Sequence, residues 1–257
     1  GFRKGNIWNS FRFRGSTKAA NKEGDFSLEI RVFNTTKRID LVYAIEKKLV
    51  TDPEGIYIAF PFHLQNGQLA FDVPGGEIRA GLDQIPGSSN DWNTVQTYAR
   101  LYNSEGQILL MSTEVPLMQF GGINTGRYKA GAVPASGHIY GWPMNNYWTT
   151  NFNGYQTGGH NWTYTITGMT GNSLRDATLT GWVYKIPFLT RIMPGGGKSQ
   201  VSGEGSLVTG WPENVLLISA FPEEGGKSAI LHLREISGNP AIFNLKNNLT
   251  GQVLKTI

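Results

Sequence analysis

The segment that decides the fold reads Phe-Ser-Leu-Glu-Ile-Arg-Val at residues 26–32. Its apolar side chains occupy every second position, and polar or charged side chains occupy the positions between them. Because successive side chains of a strand point to opposite faces, this alternation predicts a strand with one buried face and one solvated face. The pattern returns at residues 39–45 and 56–62, and Pro61 predicts that the second of these strands lies at a sheet edge or contains a bulge.

Further strands are expected downstream, joined by tight turns. Asn66-Gly67 favours a type I′ hairpin turn between the two apolar runs beside it, and Gly225-Gly226 predicts a second hairpin. No window shows a 3.6-residue apolar stripe bounded by caps, so almost no helix is expected. The remaining predicted strands are residues 94–102, 107–112, 162–167, 177–186, 215–221 and 228–236.

Composition supports one large all-β protein. The chain has 257 residues, 33 glycines, 12% aromatic residues and only 16% charged residues, which suits a turn-rich β fold and not a disordered chain. We therefore predict a single domain over residues 1–257, a large antiparallel β-sandwich of two sheets packed face to face. Residues 1–25 are expected to be peripheral or a linker.

Several classes of function are disfavoured by the same composition. The net charge of +4 is mild and its basic residues are scattered beyond the N-terminal group, so a nucleic-acid partner is not expected. No apolar run approaches the ~20 residues of a membrane helix, so no membrane partner is expected either. Cysteine is absent, and the four histidines (His63, His138, His160 and His232) are isolated, so no metal site is predicted within this chain.

Glycoside hydrolysis generally uses two carboxylates, so the acidic residues are the candidates for such a role. The acids near candidate loops are Asp72, Glu77, Asp83, Asp91, Glu114 and Glu235. Some of them, such as Glu77 after Gly76 and Asp91 after Asn90, stand where an acidic side chain usually caps a turn by accepting bonds from backbone amides. The sequence therefore assigns none of them as a catalytic residue.

A series of short motifs carries a family resemblance. The chain reads Ile-Tyr-Ile-Ala-Phe-Pro-Phe at residues 56–62, Phe-Asp-Val-Pro-Gly-Gly at 71–76, Asp-Gln-Ile-Pro-Gly-Ser at 83–88 and Asp-Trp-Asn-Thr-Val-Gln at 91–96. Further along, residues 145–152 read Asn-Asn-Tyr-Trp-Thr-Thr-Asn-Phe. In this order the motifs resemble the β-rich C-terminal part of family 38 glycoside hydrolases, the α-mannosidase family.

The resemblance implies a fold and a role. Its fold would be the supersandwich shared with galactose mutarotases. The chain would be the C-terminal β-sandwich of an α-mannosidase-like glycoside hydrolase, assisting carbohydrate binding and completing the substrate cleft. Its partners would be a mannose-containing glycan and the catalytic barrel of the same parent chain. That barrel carries the nucleophile and a divalent metal, usually zinc, so this piece alone is expected to be inactive and to need no cofactor.

Two segments, residues 83–96 and 142–156, combine aromatic rings with amides and acids, the mixture that sugar sites use. The candidate contacts to carbohydrate or to the barrel are Asp83, Gln84, Asp91, Trp92, Gln96, Asn145, Asn146, Tyr147, Trp148, Asn151 and Gln156. The alternative interpretation is that the rings close the ends of the sandwich and the amides satisfy loop backbone.

One further expectation concerns the second segment. If residues 145–156 face the barrel, Trp148→Ala should cost the isolated chain less than about 1.5 kcal/mol, because a partly exposed ring contributes less than a core ring.

The alternative function is a stand-alone, non-catalytic carbohydrate-binding β-sandwich. The compartment stays open, with a periplasmic or secreted location preferred.

Overall fold

The computed structural model describes residues 1–125, 131–147, 154–192, 204–226 and 228–254. Strands make up 45% of the described residues and helix 5%, and the large sheets are antiparallel. The expectation of an all-β protein with large antiparallel sheets is therefore confirmed.

Contacts between Cα atoms divide the chain into two compact units. The first contains residues 1–172 and 180–185, and the second contains residues 173–179 and 186–257. The expectation of one structural domain within a larger glycoside hydrolase stays a prediction. The N-terminal stretch, expected to be peripheral, contributes two strands to the largest sheet of the first unit.

The first unit contains thirteen described strands arranged in two sheets. In chain order they are β1 (Phe2–Arg3), β2 (Trp8–Gly15), β3 (Phe26–Phe33), β4 (Arg38–Lys47), β5 (Gly55–Pro61), β6 (Gln68–Val73), β7 (Gly76–Arg79), β8 (Asn93–Thr94), β9 (Ala99–Tyr102), β10 (Gly106–Met111), β11 (Leu117–Phe120), β12 (His138–Asn145) and β13 (Gly158–Thr170). The nine-stranded sheet has the order β1-β2-β3-β4-β13-β10-β9-β6-β7, and the four-stranded sheet has the order β5-β12-β11-β8.

The core of the first unit lies between these two sheets. Rings meet across it: the centroids of Phe60 and Tyr164 are 4.9 Å apart, and those of Phe71 and Phe120 are 5.1 Å apart. The sheets approach closely at Gly141, where a β-carbon would collide with the Tyr164 hydroxyl group. Only glycine fits this position without a shift of the ring, so the close approach explains the residue.

The prediction from Pro61 is confirmed, because β5 is an edge strand of the four-stranded sheet. The hairpin predicted at Asn66-Gly67 is wrong. A turn does form there: Asn66 has φ 54° and the Gly67 amide donates to the Leu64 carbonyl at 3.0 Å. However, the strands before and after this turn, β5 and β6, belong to different sheets.

The second unit contains two small antiparallel sheets. Their strands are β14 (Val208–Thr209), β15 (Val215–Pro222), β16 (Ala229–Glu235) and β17 (Lys246–Asn247), with β14 paired to β17 and β15 paired to β16. Gly225 and Gly226, between β15 and β16, have φ values of 102° and 69°. The hairpin predicted at these two glycines is therefore confirmed.

The strand predicted at residues 177–186 is wrong, because this segment lies in a helix, α1 (Leu174–Lys185). The helix begins after Ser173, whose hydroxyl oxygen accepts a hydrogen bond from the Asp176 amide at 3.1 Å. This is the N-cap arrangement that satisfies one of the free amides of a first turn. Asp176 in the first turn and Lys185 in the last also complement the helix dipole.

Candidate functional site

Four aromatic rings form a continuous cluster in the first unit. We name it the aromatic patch and define it as Tyr57, Trp92, Trp142 and Tyr147. Trp142 is its centre: its ring stacks on Tyr57 at 5.6 Å, meets Trp92 edge-on at 6.0 Å, and lies 6.1 Å from Tyr147. Trp142 is only 2% exposed, whereas the other three rings are half-buried. The patch therefore has a fixed centre and an accessible rim.

A bulge between β12 and β5 sets the geometry of the patch. Gly141 pairs with Ile58 and Met144 pairs with Ile56, so two residues of β12 oppose Tyr57 alone. One of the two is Pro143, which lacks an amide hydrogen and suits an interrupted ladder. A bulge of this kind redirects side chains, and here it accompanies the stacking of Trp142 on Tyr57.

The patch lies on the side of the four-stranded sheet that faces away from the core. Ile56 and Ile58 pack against the core of the unit, and Ile139 is fully buried within it. Because side chains alternate along a strand, Tyr57 and Trp142 point to the opposite face. Outer faces of such sheets usually carry polar residues, so a ring cluster at this position is unusual.

The two segments predicted from the sequence meet at this patch. Trp92 comes from residues 83–96, and Trp142 and Tyr147 come from residues 142–156. Trp148 and Asn151, also predicted as contacts, lie outside the described residues. The Trp148→Ala expectation therefore stays a prediction. Tyr57 was not predicted, although its place between two core isoleucines on a strand is the signal that puts it on the outer face.

Asp91 and Gln96 bring polar atoms into the first segment. Asp91 is 3% exposed, and its Oδ1 atom is buried without a hydrogen-bond partner in the described part of the chain. The Oε1 atom of Gln96 is also buried without a hydrogen-bond partner among the described residues. Buried oxygens of this kind usually have a partner, so water or a ligand group is expected at both.

Asp83 and Gln84 instead hold turns together. Arg79 donates to both carboxylate oxygens of Asp83, with Nη2 to Oδ1 at 2.6 Å and Nε to Oδ2 at 2.8 Å. These bonds, joined by one from the Arg79 amide, lower the pKa of Asp83. The Gln84 amide accepts from the Gly81 backbone at 2.8 Å and donates to Asn93 at 2.7 Å.

Asn146 fixes the loop before β5. Its side-chain nitrogen donates to the carbonyls of Val50 at 3.1 Å and Asp52 at 2.8 Å, and its side-chain oxygen accepts from the Glu54 amide. The interpretation that amides satisfy loop backbone therefore describes this residue. Asn145 behaves similarly, since its side-chain oxygen accepts from the Tyr147 amide at 3.3 Å.

Gln156 is exposed beside a narrow crevice. Lys47 and Glu54, which form an ion pair, line this crevice with Asn145 and Asn146. Its space of about 10 Å³ holds no more than one water molecule. The crevice is too small for a sugar ring.

The remaining carboxylates considered above have structural partners. Asp72 is fully buried and accepts from the Thr97 hydroxyl at 2.6 Å, and Glu77 forms a buried ion pair with Arg100. Burial acts to raise the pKa of Glu235, but bonds from Ser237, Gly238 and Asn214 outweigh it and lower the value to about 2. An acid held so firmly in the ionised form is unsuited to donate a proton at neutral pH.

Within the described ranges, no group of three or more histidine and acidic side chains is placed to hold a metal ion. The ligand set that the family resemblance implies is therefore not found among these residues, and the absence of a cofactor from this chain stays a prediction. No helix in the same ranges has the length and apolarity to cross a membrane.

Comparison with known proteins identifies the fold. No family model and no curated protein matches the sequence. Among solved structures, an α-mannosidase from Enterococcus faecalis V583 matches 96% of this chain with a TM-score of 0.70 and 9% identity. A protein in glycosyl hydrolase family 38 from Enterococcus faecalis matches 96% with a TM-score of 0.69 and 10% identity.

These matches confirm the structural resemblance predicted from the motifs. The chain spans 30% and 32% of the two matched chains, so it has the fold of about a third of each enzyme. At such low identity the likeness shows the fold, and it assigns neither activity nor site residues.

Proposed function

We propose that this chain is the β-sandwich region of an α-mannosidase-like family 38 glycoside hydrolase, of the type shared with galactose mutarotases. The observation that carries the proposal is the match of 96% of the chain to about a third of two such enzymes. In the parent protein a catalytic barrel would supply the nucleophile and the metal, and this region would help to bind a mannose-containing glycan.

The aromatic patch is the surface that we assign to carbohydrate. Half-buried rings offer an apolar face to the C–H groups of a pyranose. The patch also lies on the outer face of a sheet, where a second domain can cover it. The same surface would therefore complete a cleft beside the barrel.

Activity assays separate the parts of this proposal. The isolated chain should not hydrolyse aryl α-mannosides, with or without added zinc, because the proposed nucleophile and metal ligands belong to the barrel. Sustained turnover that survives repurification would contradict this. The coding sequence upstream should encode the barrel; if it encodes none, the second candidate, a stand-alone carbohydrate-binding module, becomes the better description.

Binding by the patch is tested in the isolated chain. Titration with methyl α-mannoside and α-mannobiose, followed through the indole signals of Trp92 and Trp142 in NMR spectra, should give saturable shifts. Trp92→Ala, followed through the Trp142 signal, should weaken binding by about two- to tenfold, since one stacked ring contributes about 0.5–1.5 kcal/mol. Trp211→Ala, in the second unit, is the matched control and should leave the affinity unchanged. Equal losses in both variants would remove the patch from the proposal.

A further inference from the structure

A groove of about 350 Å³ runs over the edge of the nine-stranded sheet at β1, β2 and β3. It is distinct from the aromatic patch, which lies on the four-stranded sheet. We name it the arginine groove. The residues that define its chemistry are Arg3, Trp8, Ser10, Arg12, Glu29 and Arg31.

Strand register places its charged side chains on one face. Arg3 pairs with Ser10, and Ser10 pairs with Arg31 on the next strand, so these three form a row across the sheet. Arg12 pairs with Glu29 in the neighbouring row, two residues along β2 and therefore on the same face. Three guanidinium groups thus line one groove.

The groove contains more positive than negative charge. Arg12 and Arg31 donate from their Nη2 atoms to the same Glu29 oxygen, at 3.1 and 3.0 Å. Burial acts to raise the pKa of Glu29, but hydrogen bonds from both arginines lower it, so this acid stays ionised. Within the described ranges Arg3 makes no ion pair. Three cations and one carboxylate therefore leave an excess of two positive charges in the groove.

The arginines are partly fixed but still accessible. The Arg31 guanidinium lies over the Trp8 ring, 5.3 Å from its centroid, and its side chain is 31% exposed. The Arg12 side chain is 57% exposed. Their shared bond to Glu29 and the stacking on Trp8 reduce the freedom that a ligand would otherwise have to remove on binding.

We propose that the arginine groove binds a tetrahedral oxyanion, a phosphate or sulfate group, either free or carried on a sugar. Guanidinium groups match such oxyanions because their N–H donors form a planar fork that bonds two oxygens at once. Glu29 would stay bonded to Arg12 and Arg31 and orient them, and the uncompensated charge would attract the ligand. This proposal does not depend on the function proposed for the aromatic patch.

The test is an NMR titration of the chain with inorganic phosphate, inorganic sulfate, mannose 6-phosphate and neutral mannose. The Trp8 indole signal reports the arginine groove and the Trp92 signal reports the patch, so the two proposals fail separately. We expect saturable shifts at Trp8 with a Kd of about 1 mM or lower for the anions, and none for mannose. Tighter binding of mannose 6-phosphate indicates a sugar ester, and equal binding indicates the free anion.

Charge-matched variants decide whether the groove itself is the site. Arg3→Gln and Arg12→Gln should each weaken phosphate binding by about tenfold, the loss typical of one hydrogen bond to a charged group. Arg31→Lys keeps the charge but loses the fork, and should also weaken binding. Arg14→Gln is the control, because Arg14 lies on β2 and the same face but outside the groove. The proposal is overturned if Trp8 shows no saturable shift, or if Arg14→Gln weakens binding as much as Arg3→Gln.

Discussion

Replacing Glu77 by leucine should lower the free energy of unfolding by about 3–5 kcal/mol, because it leaves a buried guanidinium without its counter-charge. The side chains of Arg100 and Glu77 are only 4% and 9% exposed. Arg100 donates from Nε to Oε2 at 2.7 Å and from Nη2 to Oε1 at 2.6 Å, and the Tyr98 hydroxyl donates to Oε2 at 2.7 Å. This is a two-bond ion pair with an additional donor, enclosed by the sheet.

The magnitude follows from what each partner would lose. In the leucine variant the Arg100 Nη1 atom would keep its bonds to the Gln107 side chain at 2.7 Å and the Asn172 carbonyl at 3.0 Å. Its Nε and Nη2 donors would lose the acceptor that Glu77 provides, and each unsatisfied buried group costs about 1–3 kcal/mol. Removing both charges with Glu77→Leu and Arg100→Met should cost at least ~2 kcal/mol less than the sum of the single changes.

Urea unfolding followed by tryptophan fluorescence and far-ultraviolet circular dichroism measures these differences. The control is Arg79→Gln, which removes the Arg79–Asp83 ion pair, of similar length but with side chains 50% and 32% exposed, and keeps the bond from the residue 79 amide to Asp83. Its unfolding midpoint should hardly move, because solvent screens exposed ion pairs. A loss below about 1 kcal/mol for Glu77→Leu, or strictly additive single changes, would refute the reasoning.

Two further predictions concern other parts of the chain. Gly141→Ala should destabilise the first unit by about 1–3 kcal/mol through collision with Tyr164. Adding Tyr164→Phe to Gly141→Ala should restore part of this stability. Tyr164→Phe alone should cost little, since its buried hydroxyl has no partner in the described ranges. If the double variant is no more stable than Gly141→Ala, the proposed collision is contradicted. For Glu235, whose folded pKa of about 2 lies below the ordinary 4.5, stabilisation is present above about pH 4.5 and lost as the pH falls toward 2. Glu235→Gln should therefore differ from the parent chain in hairpin stability only at the higher pH, and a carboxyl NMR titration midpoint near 4.5 would exclude this.

Period-two patterns predicted the strands well because they report a local property, the burial of one face. Residues 26–32 and 39–45 fall within β3 and β4 of the structure. The same logic failed at α1, where Thr178, Thr180 and Val183 have the composition of a strand. Here the Ser173 cap and the helix dipole partners outweighed residue propensity, which is a weak signal by itself.

The turn at Asn66-Gly67 shows a different limit of sequence reasoning. The Asn-Gly dipeptide predicted the turn correctly, since Asn66 does adopt positive φ. It did not predict which strands pair, because β6 hydrogen-bonds to β7 and β9 and not to the preceding β5. Which strands pair depends on contacts that are distant in sequence, and a dipeptide does not contain that information.

The candidate site was predictable as segments and not as individual roles. The mixture of rings and amides identified both segments that meet at the aromatic patch. Asn146, however, bonds backbone groups 92 to 96 residues away, so no local pattern could distinguish it from a sugar contact. Tyr57 was missed because the strand pattern drew attention to its buried neighbours.

From the sequence alone, sugar contact and structural support are alternative interpretations of these loops. In the structure the two roles are complementary. Rings bind best when they are rigid, because a fixed platform loses little freedom when a ligand arrives. Trp142 is held by its burial and by the bulge against Tyr57, and Asn145 and Asn146 hold the turn that leads to Tyr147. Asn146 would not contact the sugar itself, but Asn146→Ala should weaken glycan binding because it loosens Tyr147. Asp83→Ala should leave glycan binding unchanged. If both variants bind methyl α-mannoside like the parent chain, the support given by these amides serves the loop alone.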